Sequence, residues 1–197
     1  MALPNKLQQT LLPSELNHIA ENTLIGILPR QSLDPITFIG LKTPRLRPLQ
    51  KAQVPLWFAC ILKEKSKCSI VPPTWLQESE LQSVYDEEVR HADRFSPRLP
   101  WHWMEVSAIL LRVARDDLES PGHVIRGLLR DIREVRQAKA RQGLQQLNDA
   151  HMRMDGLGAL EINEIRPFVG GVMDQLRELV ATVPVREEEI EEDEDEF

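Results

Sequence analysis

The chain has 197 residues, 42% of them apolar, enough to bury a substantial core, and no uninterrupted apolar run approaches the length of a membrane span. Its formal net charge of −7 is concentrated at one end: nine of the 31 acidic residues lie between Glu187 and Glu196, and without residues 186–197 the chain holds 23 basic against 22 acidic side chains. That balance excludes both a strongly basic nucleic-acid binder and a uniformly acidic protein.

No basic leader precedes an apolar run, so the expectation is a soluble, unexported protein whose two cysteines, Cys60 and Cys68, stay reduced. Pro13 to Asn22 carries Leu16, Ile19 and Ala20 at helical spacing after Leu12 and predicts a short opening helix. The period then changes. Thr23–Leu28, Ile36–Ile39, Val54–Leu62 and Cys68–Val71 are short runs rich in β-branched and aromatic residues, bounded by Pro, Gly or Asp, and they predict the strands of a small sheet. Cys60 and Cys68 then fall on facing strands of a hairpin. The five histidines show no finger-like spacing with them, so no structural metal is expected. Leu41–Lys51 is predicted as a loop, with Pro44 and Pro48, four bases (Lys42, Arg45, Arg47, Lys51) and no acid.

Pro72 and Pro73 cannot donate to a ladder and stop the last strand. Thr74 with Gln77 matches a capping box, and Leu76, Leu81, Val84, Tyr85 and Val89 continue at helical intervals. The diproline, with Trp57 and Trp75, is therefore read as a joint between a small β-rich domain (1–73) and a helical domain (74–185). Within the latter, Ser96 is expected to cap a helix striped by Trp103, Val106, Leu110 and Val113 and widened by Ile109, Leu111 and Ala114. Ser120 and Pro121 read as the cap and first position of the next helix. It carries Val124, Leu128, Ile132 and Val135 on one face and resumes past Gly143 through Leu147, His151 and Met154 to Gly156 and Gly158. A last helix from about Pro167 aligns Val169, Val172, Leu176 and Leu179 and stops before Pro184. Residues 186–197 form an acidic tail too polar to offset its ordering entropy and are expected to be disordered. The fold class is mainly α, a small N-terminal β-rich (α+β) domain followed by a larger C-terminal α-helical bundle domain.

Opposite the apolar stripe of the helix from Pro121, Arg126, Arg130, Arg133 and Arg141 share a side. Three readings compete: a solvated face balanced by Asp131 and Glu134, a ridge docking on carboxylates of another protein, or contact with a phosphate backbone. The basic loop residues Lys42, Arg45, Arg47 and Lys51 face the same choice between solubility and a partner, and the acidic tail between self-repulsion and recruitment of a basic partner. The tryptophans around the joint read as packing rather than a stacking platform for bases. No phosphate loop, dinucleotide fingerprint, H-E-x-x-H or G-x-S-x-G motif is present, so neither a catalytic constellation nor a cofactor is expected.

The stretches VPLWFACILKEKSKCSIVPPTWL, RFSPRLPWHWMEVSAILL and RGLLRDIREVRQAKARQGLQQLNDAHMRMDGLGALEINEIRPF resemble the GINS family, specifically its Psf-two subunits in fungal form, from about Leu12 to about Val183. The resemblance implies a non-enzymatic subunit of a heterotetramer with three paralogous GINS subunits. It implies that the tetramer binds the MCM ring together with a RecJ-like protein to form the replicative helicase in the nucleus, with DNA contact indirect or weak and no membrane. It also implies that the block from Ser96 to Met154 supplies most subunit contacts and that Val54–Trp75 holds the small domain against it. Trp103, Val106, Leu110, Val113, Leu128 and Ile132 are the expected interface, since the stripe from Trp103 to Ala114 is wider than one neighbour needs. Arg126, Arg130, Arg133, Arg141 and the four loop bases are the expected partner contacts. The loop at Lys42–Lys51 is more basic than the glycine-containing loop of several members, and the acidic tail is not a family hallmark.

Overall fold

The structure is a computed structural model and describes residues 10–144 and 154–182. Helix α1 (Pro13–Ala20) starts where Leu12 turns extended, with Pro13 at the first helical position and the Glu15 carboxylate accepting the Leu12 N–H at 2.7 Å. It buries Leu16 and Ala20. Strand β1 (Leu24–Pro29) alternates inward Ile25, Ile27 and Pro29 with outward neighbours, the period of a sheet with one covered face. It is the centre of a three-stranded antiparallel sheet between β4 (Ala52–Pro55) and β5 (Cys68–Val71), with Ile25 opposite Val54 and Ile27 opposite Ile70. Strands β2 (Thr37–Phe38) and β3 (Leu41–Lys42) form a separate short hairpin, so the predicted loop begins as a strand. Phe38 pins the hairpin edge-on against Trp57, 5.1 Å between ring centroids, and Phe58, 5.3 Å.

The run Val54–Leu62 is not one strand. The chain leaves β4 at Pro55 and forms helix α2 (Leu56–Glu64), which buries Leu56, Phe58, Ala59 and Leu62. Leu56, Ala59 and Leu62, three residues apart, lie on the face toward the sheet, while Ile61 points outward at 41% exposed. Cys60 therefore sits on a helix and Cys68 on a strand, not on facing strands, and Cys68 Sγ approaches the Ala59 carbonyl at 3.8 Å. Burial pushes both thiols up to about 11, so thiolate chemistry is suppressed. Helix α2 ends with the Ser66 N–H on the Lys63 carbonyl, the Lys67 N–H on that of Leu62, and Ser66 at a left-handed φ of 54°.

After Pro72 and Pro73, Thr74–Leu76 forms a 3₁₀ turn rather than a capping box, because Gln77 returns to extended geometry and α3 (Glu78–Arg90) begins after it. Ser96 is no helix cap either. Helix α4 (Trp103–Val113) starts beyond Pro100, and the Ser96 N–H and hydroxyl donate back to Glu88, 2.9 Å, and Glu87, 2.8 Å. Helix α5 (Gly122–Leu144) starts one residue later than predicted, and its buried stripe is Ile125, Leu129, Ile132 and Arg136, rotated from the predicted one. Helix α6 (Ala159–Thr182) opens eight residues before Pro167 and carries that proline inside it. The Ala159 N–H on the Trp101 carbonyl, 2.8 Å, and the Glu161 carboxylate on the Gly158 N–H, 2.7 Å, anchor its first turn upstream of the proline. The predicted stretch through Leu147 and His151, the stop before Pro184 and the acidic tail lie outside the described residues.

One apolar core runs without interruption from Ala20 and Ile27, through Leu56, Leu76 and Trp103, to Ile132. The diproline thus joins segments that share their interior. A second tie is polar: between α4 and α5, Asp117 accepts the outward N–H of Ile70 on β5 at 2.7 Å and pairs with Lys63 of α2 at 2.8 Å. Asp117 thereby blunts the free edge of the sheet. Asp117→Ala leaves that N–H without its acceptor and the Lys63 ammonium with Asp116 alone, 2.7 Å away, and is expected to lower stability by about 1–3 kcal/mol, read from urea unfolding.

Candidate functional site

The sequence reading passed over the side chain that organises the helices. On α5 the buried stripe steps by four, three and four residues, and its last place belongs to Arg136, whose side chain is fully buried. The guanidinium grips Glu161 at the start of α6 with Nε and Nη2, both 2.7 Å. Nη1 donates to Glu88 of α3 at 2.6 Å and Nη2 also to the Gly156 carbonyl at 2.6 Å. Lys139, one turn on, donates to the other Glu88 oxygen and to the Arg94 carbonyl at 2.9 Å. The Phe95 ring stacks on the guanidinium, 4.9 Å away. Gly156, at φ 80°, makes this close approach possible, since a Cβ there would sit 3.1 Å from Phe95. Burial alone would lower the Arg136 pKa, but the hydrogen bonds and charge of Glu161, with the charge of Glu88, outweigh it and raise it. The cluster fixes α3, the 91–102 connection, α5 and α6 against one another.

Beside it, Glu105 on α4 is buried, 4% exposed, with one oxygen lacking a hydrogen-bond partner. His102 Nδ1 lies 3.9 Å away, close enough for charge attraction but too far for a hydrogen bond. Desolvation raises the Glu105 pKa, against a smaller opposing pull from its backbone hydrogen bond and His102. A carboxyl whose folded pKa exceeds its unfolded one favours folding below the unfolded value and loses that contribution as pH rises through the folded one. Glu105→Gln is therefore expected to raise the thermal midpoint at neutral pH, with the gain vanishing as pH falls below the ordinary carboxylate range.

The expected interface residues need correction. Trp103, Val106, Leu110 and Ile132 are 1%, 5%, 1% and 0% exposed, covered by this chain's own core, so they offer nothing to a companion; Val113 and Leu128 stay half-buried. The wide stripe of α4 faces several neighbours at once inside the fold. The arginines do not form one free ridge. Arg133 reaches Glu164 of α6 at 2.6 Å, Arg130 pairs with Asp131 at 3.1 Å and Glu134 at 3.8 Å, Arg126 approaches the Leu111 carbonyl at 3.4 Å, and Arg141 is exposed. In the basic loop Arg45 lies 3.7 Å from Asp34, whereas Lys42, Arg47 and Lys51 have no ion pair among the described residues. At the joint, Pro73 and Trp75 line an apolar cavity of about 260 Å³ with Leu24, Leu56 and Trp101, Pro72 is half-buried, and Trp57 belongs to the aromatic group on the sheet side.

Apolar surface is left over on α6. From Ile162 to Leu179 no residue is buried: Phe168 is 56% exposed, and Val169, Val172, Met173 and Leu176 are half-exposed along one side. Past the first turn, its side-chain hydrogen bonds to other segments include Asn163 with the Leu11 backbone and Glu164 with Arg133 and Gln137. Among the described residues no group of His, Cys, Asp and Glu could hold a metal ion, and no helix is long and apolar enough to cross a membrane.

A small sheet sharing its core with a helical bundle that is knotted by charge inside and open along one long helix is the build of an assembly subunit. The chain matches the family model described as PSF2 N-terminal domain over residues 12–71 and that described as GINS complex protein helical bundle domain over residues 75–180. It is 48% identical over 183 residues to the DNA replication complex GINS protein PSF2 of Debaryomyces hansenii, covering 93% of this chain and 88% of that protein. The proteins of the same name from Saccharomyces cerevisiae and Schizosaccharomyces pombe are each 41% identical, covering 91% of this chain and 92% and 97% of their own lengths. The chain belongs to the PSF2 family of GINS complex proteins, and its role lies in DNA replication.

Proposed function

We propose that the chain is a non-catalytic scaffold subunit of a GINS heterotetramer, assembled in the nucleus with three paralogous GINS subunits. The observation that carries this reading is the face of α6 from Ile165 to Leu176, which lies outside the chain's own core. An apolar helix face of that length, left half-exposed, is the kind of surface a companion chain covers. The finer part of the proposal is that the tetramer binds the MCM ring together with a RecJ-like partner, that hydrolysis belongs to the MCM subunits, and that DNA contact through this chain is indirect or weak. The ion pairs of Arg130 and Arg133 within the chain support that last point over an autonomous nucleic-acid module.

Co-expression of the four chains, followed by size and stoichiometry measurement, tests the assembly. One copy of each chain in a single species is the expected result. A well-dispersed lone chain that fails to co-elute with the other three would overturn the reading. Binding of the lone chain to DNA with a steep dependence on log salt would favour the nucleic-acid alternative.

A further inference from the structure

Among the described residues, the two non-glycine residues at positive φ, Leu49 and Ser66, lie at the same end of the small sheet. Arg47–Gln50 is a β-turn, with the Gln50 N–H on the Arg47 carbonyl at 3.3 Å and Pro48 at its second position. Its third position, at φ 60°, ordinarily goes to Gly or Asn and here holds Leu49. Leu49 is 85% exposed, so its side chain gains nothing from the fold that would offset the strain. The backbone holds it there: the Leu49 N–H donates to the Pro29 carbonyl at 2.9 Å, seating the turn on the end of β1.

Bases surround it. Arg30 follows Pro29, and its N–H donates to the Lys67 carbonyl at 2.8 Å, which brings the Lys65–Lys67 turn alongside. Lys51 lies across β1, near enough that a Cβ on Gly26 would come within 3.0 Å of its Cε. The segments 29–51 and 64–68 hold seven basic residues and two acids, Asp34 and Glu64, and Asp34 is taken by Arg45. Arg30, Arg47, Lys51, Lys65 and Lys67 have no ion pair among the described residues; the Arg30 guanidinium donates to the Ser69 hydroxyl, 3.2 Å, and the nearby Asp116, on which its charge also acts, is held by Lys63 at 2.7 Å. An exposed leucine held at a strained turn position and unpaired bases thus converge on one surface.

We propose that this end of the sheet is a docking surface for an acidic protein segment carrying apolar side chains, with Leu49 as the knob and Arg30, Arg47, Lys51, Lys65 and Lys67 pairing with its carboxylates. Charge complementarity selects an acidic partner, and the leucine selects protein over nucleic acid, since it adds nothing to a phosphate contact. A base-stacking site would need free aromatic rings; here Phe38 and Trp57 are packed against each other. The surface lies on the sheet rather than on α6, so it stands whichever chains cover that helix.

The test uses the full-length chain, alone and in the co-purified assembly, so failure of the assembly reading leaves it intact. The probes are a short fluorescein-labelled peptide alternating Asp and Glu with Leu and Phe, the same peptide with Ser in place of Leu and Phe, and an oligothymidylate. The Leu/Phe peptide is expected to bind, and the Ser peptide at least roughly tenfold more weakly. Leu49→Gly suits the positive φ and is expected to hold or raise the thermal midpoint while weakening the Leu/Phe peptide roughly tenfold, a divergence that a merely structural leucine would not produce. Arg47→Glu combined with Lys51→Glu is expected to abolish binding. Absent binding of the Leu/Phe peptide, equal binding of both peptides, or preferential binding of the oligothymidylate with no effect of Leu49→Gly would each overturn the proposal.

Discussion

Arg136→Met is expected to lower folding stability by about 3–5 kcal/mol, the range for removing one side of a buried ion pair. The substitution roughly keeps the volume but leaves Glu88 and Glu161 out of water. Glu88 retains Lys139 and the Ser96 N–H, and Glu161 retains only the Gly158 N–H among the polar contacts of the cluster. The loss therefore comes mainly from stranded negative charge and not from a cavity. Adding Glu161→Gln and Glu88→Gln to the same chain should recover much of it, because replacing a whole buried ionic group is often close to neutral. Urea unfolding followed by circular dichroism reads both. A loss under about 1 kcal/mol for the single variant would mean that the cluster behaves like a surface pair.

The second large effect falls on assembly and spares the fold. Val172→Asp together with Leu176→Asp changes side chains that are only half-buried in the lone chain, so its stability should stay within about 0.5 kcal/mol per site. If α6 is covered by a companion, the same carboxylates become buried without partners, and co-purification should fall by about 100-fold or more. Size exclusion of the co-expressed chains, beside circular dichroism of the single chain, separates the two outcomes; normal yield of the four-chain species would remove α6 from the interface. Leu110→Asp, which the sequence suggests as an assembly variant, cannot serve. Leu110 is 1% exposed inside the chain's own core, so a charge there unfolds the subunit before assembly is tested.

The order of small sheet and helical bundle was legible because periodicity switches at Pro72 and Pro73, and the proline rule leaves little choice there. Leu56–Glu64 was not, since a continuous apolar run of strand length carries no period to distinguish helix from strand. The start of α6 was obscured by Pro167, which normally opens or breaks a helix, whereas here two side-chain and backbone bonds at Gly158 and Ala159 begin it earlier. Arg136 was hidden for a related reason. In a helix rich in arginine, hydropathy assigns every guanidinium to the outside, and only the distant Glu88 and Glu161 reveal that one belongs inside. Trp103, Val106, Leu110 and Ile132 were misplaced because a wide apolar stripe says how much surface is covered and not which chain covers it.

The shared interior also sets a timetable for synthesis. The strands leave the ribosome first, with α2 between them, yet the far end of the same core, at Ile132, arrives about 60 residues later, a delay of roughly 3–12 s at ordinary translation rates. For that interval the sheet and α2 hold a core open at its far side, and the short strands, the prolines that end β1 and β4, Pro29 and Pro55, and the collar of bases limit pairing with neighbouring nascent chains.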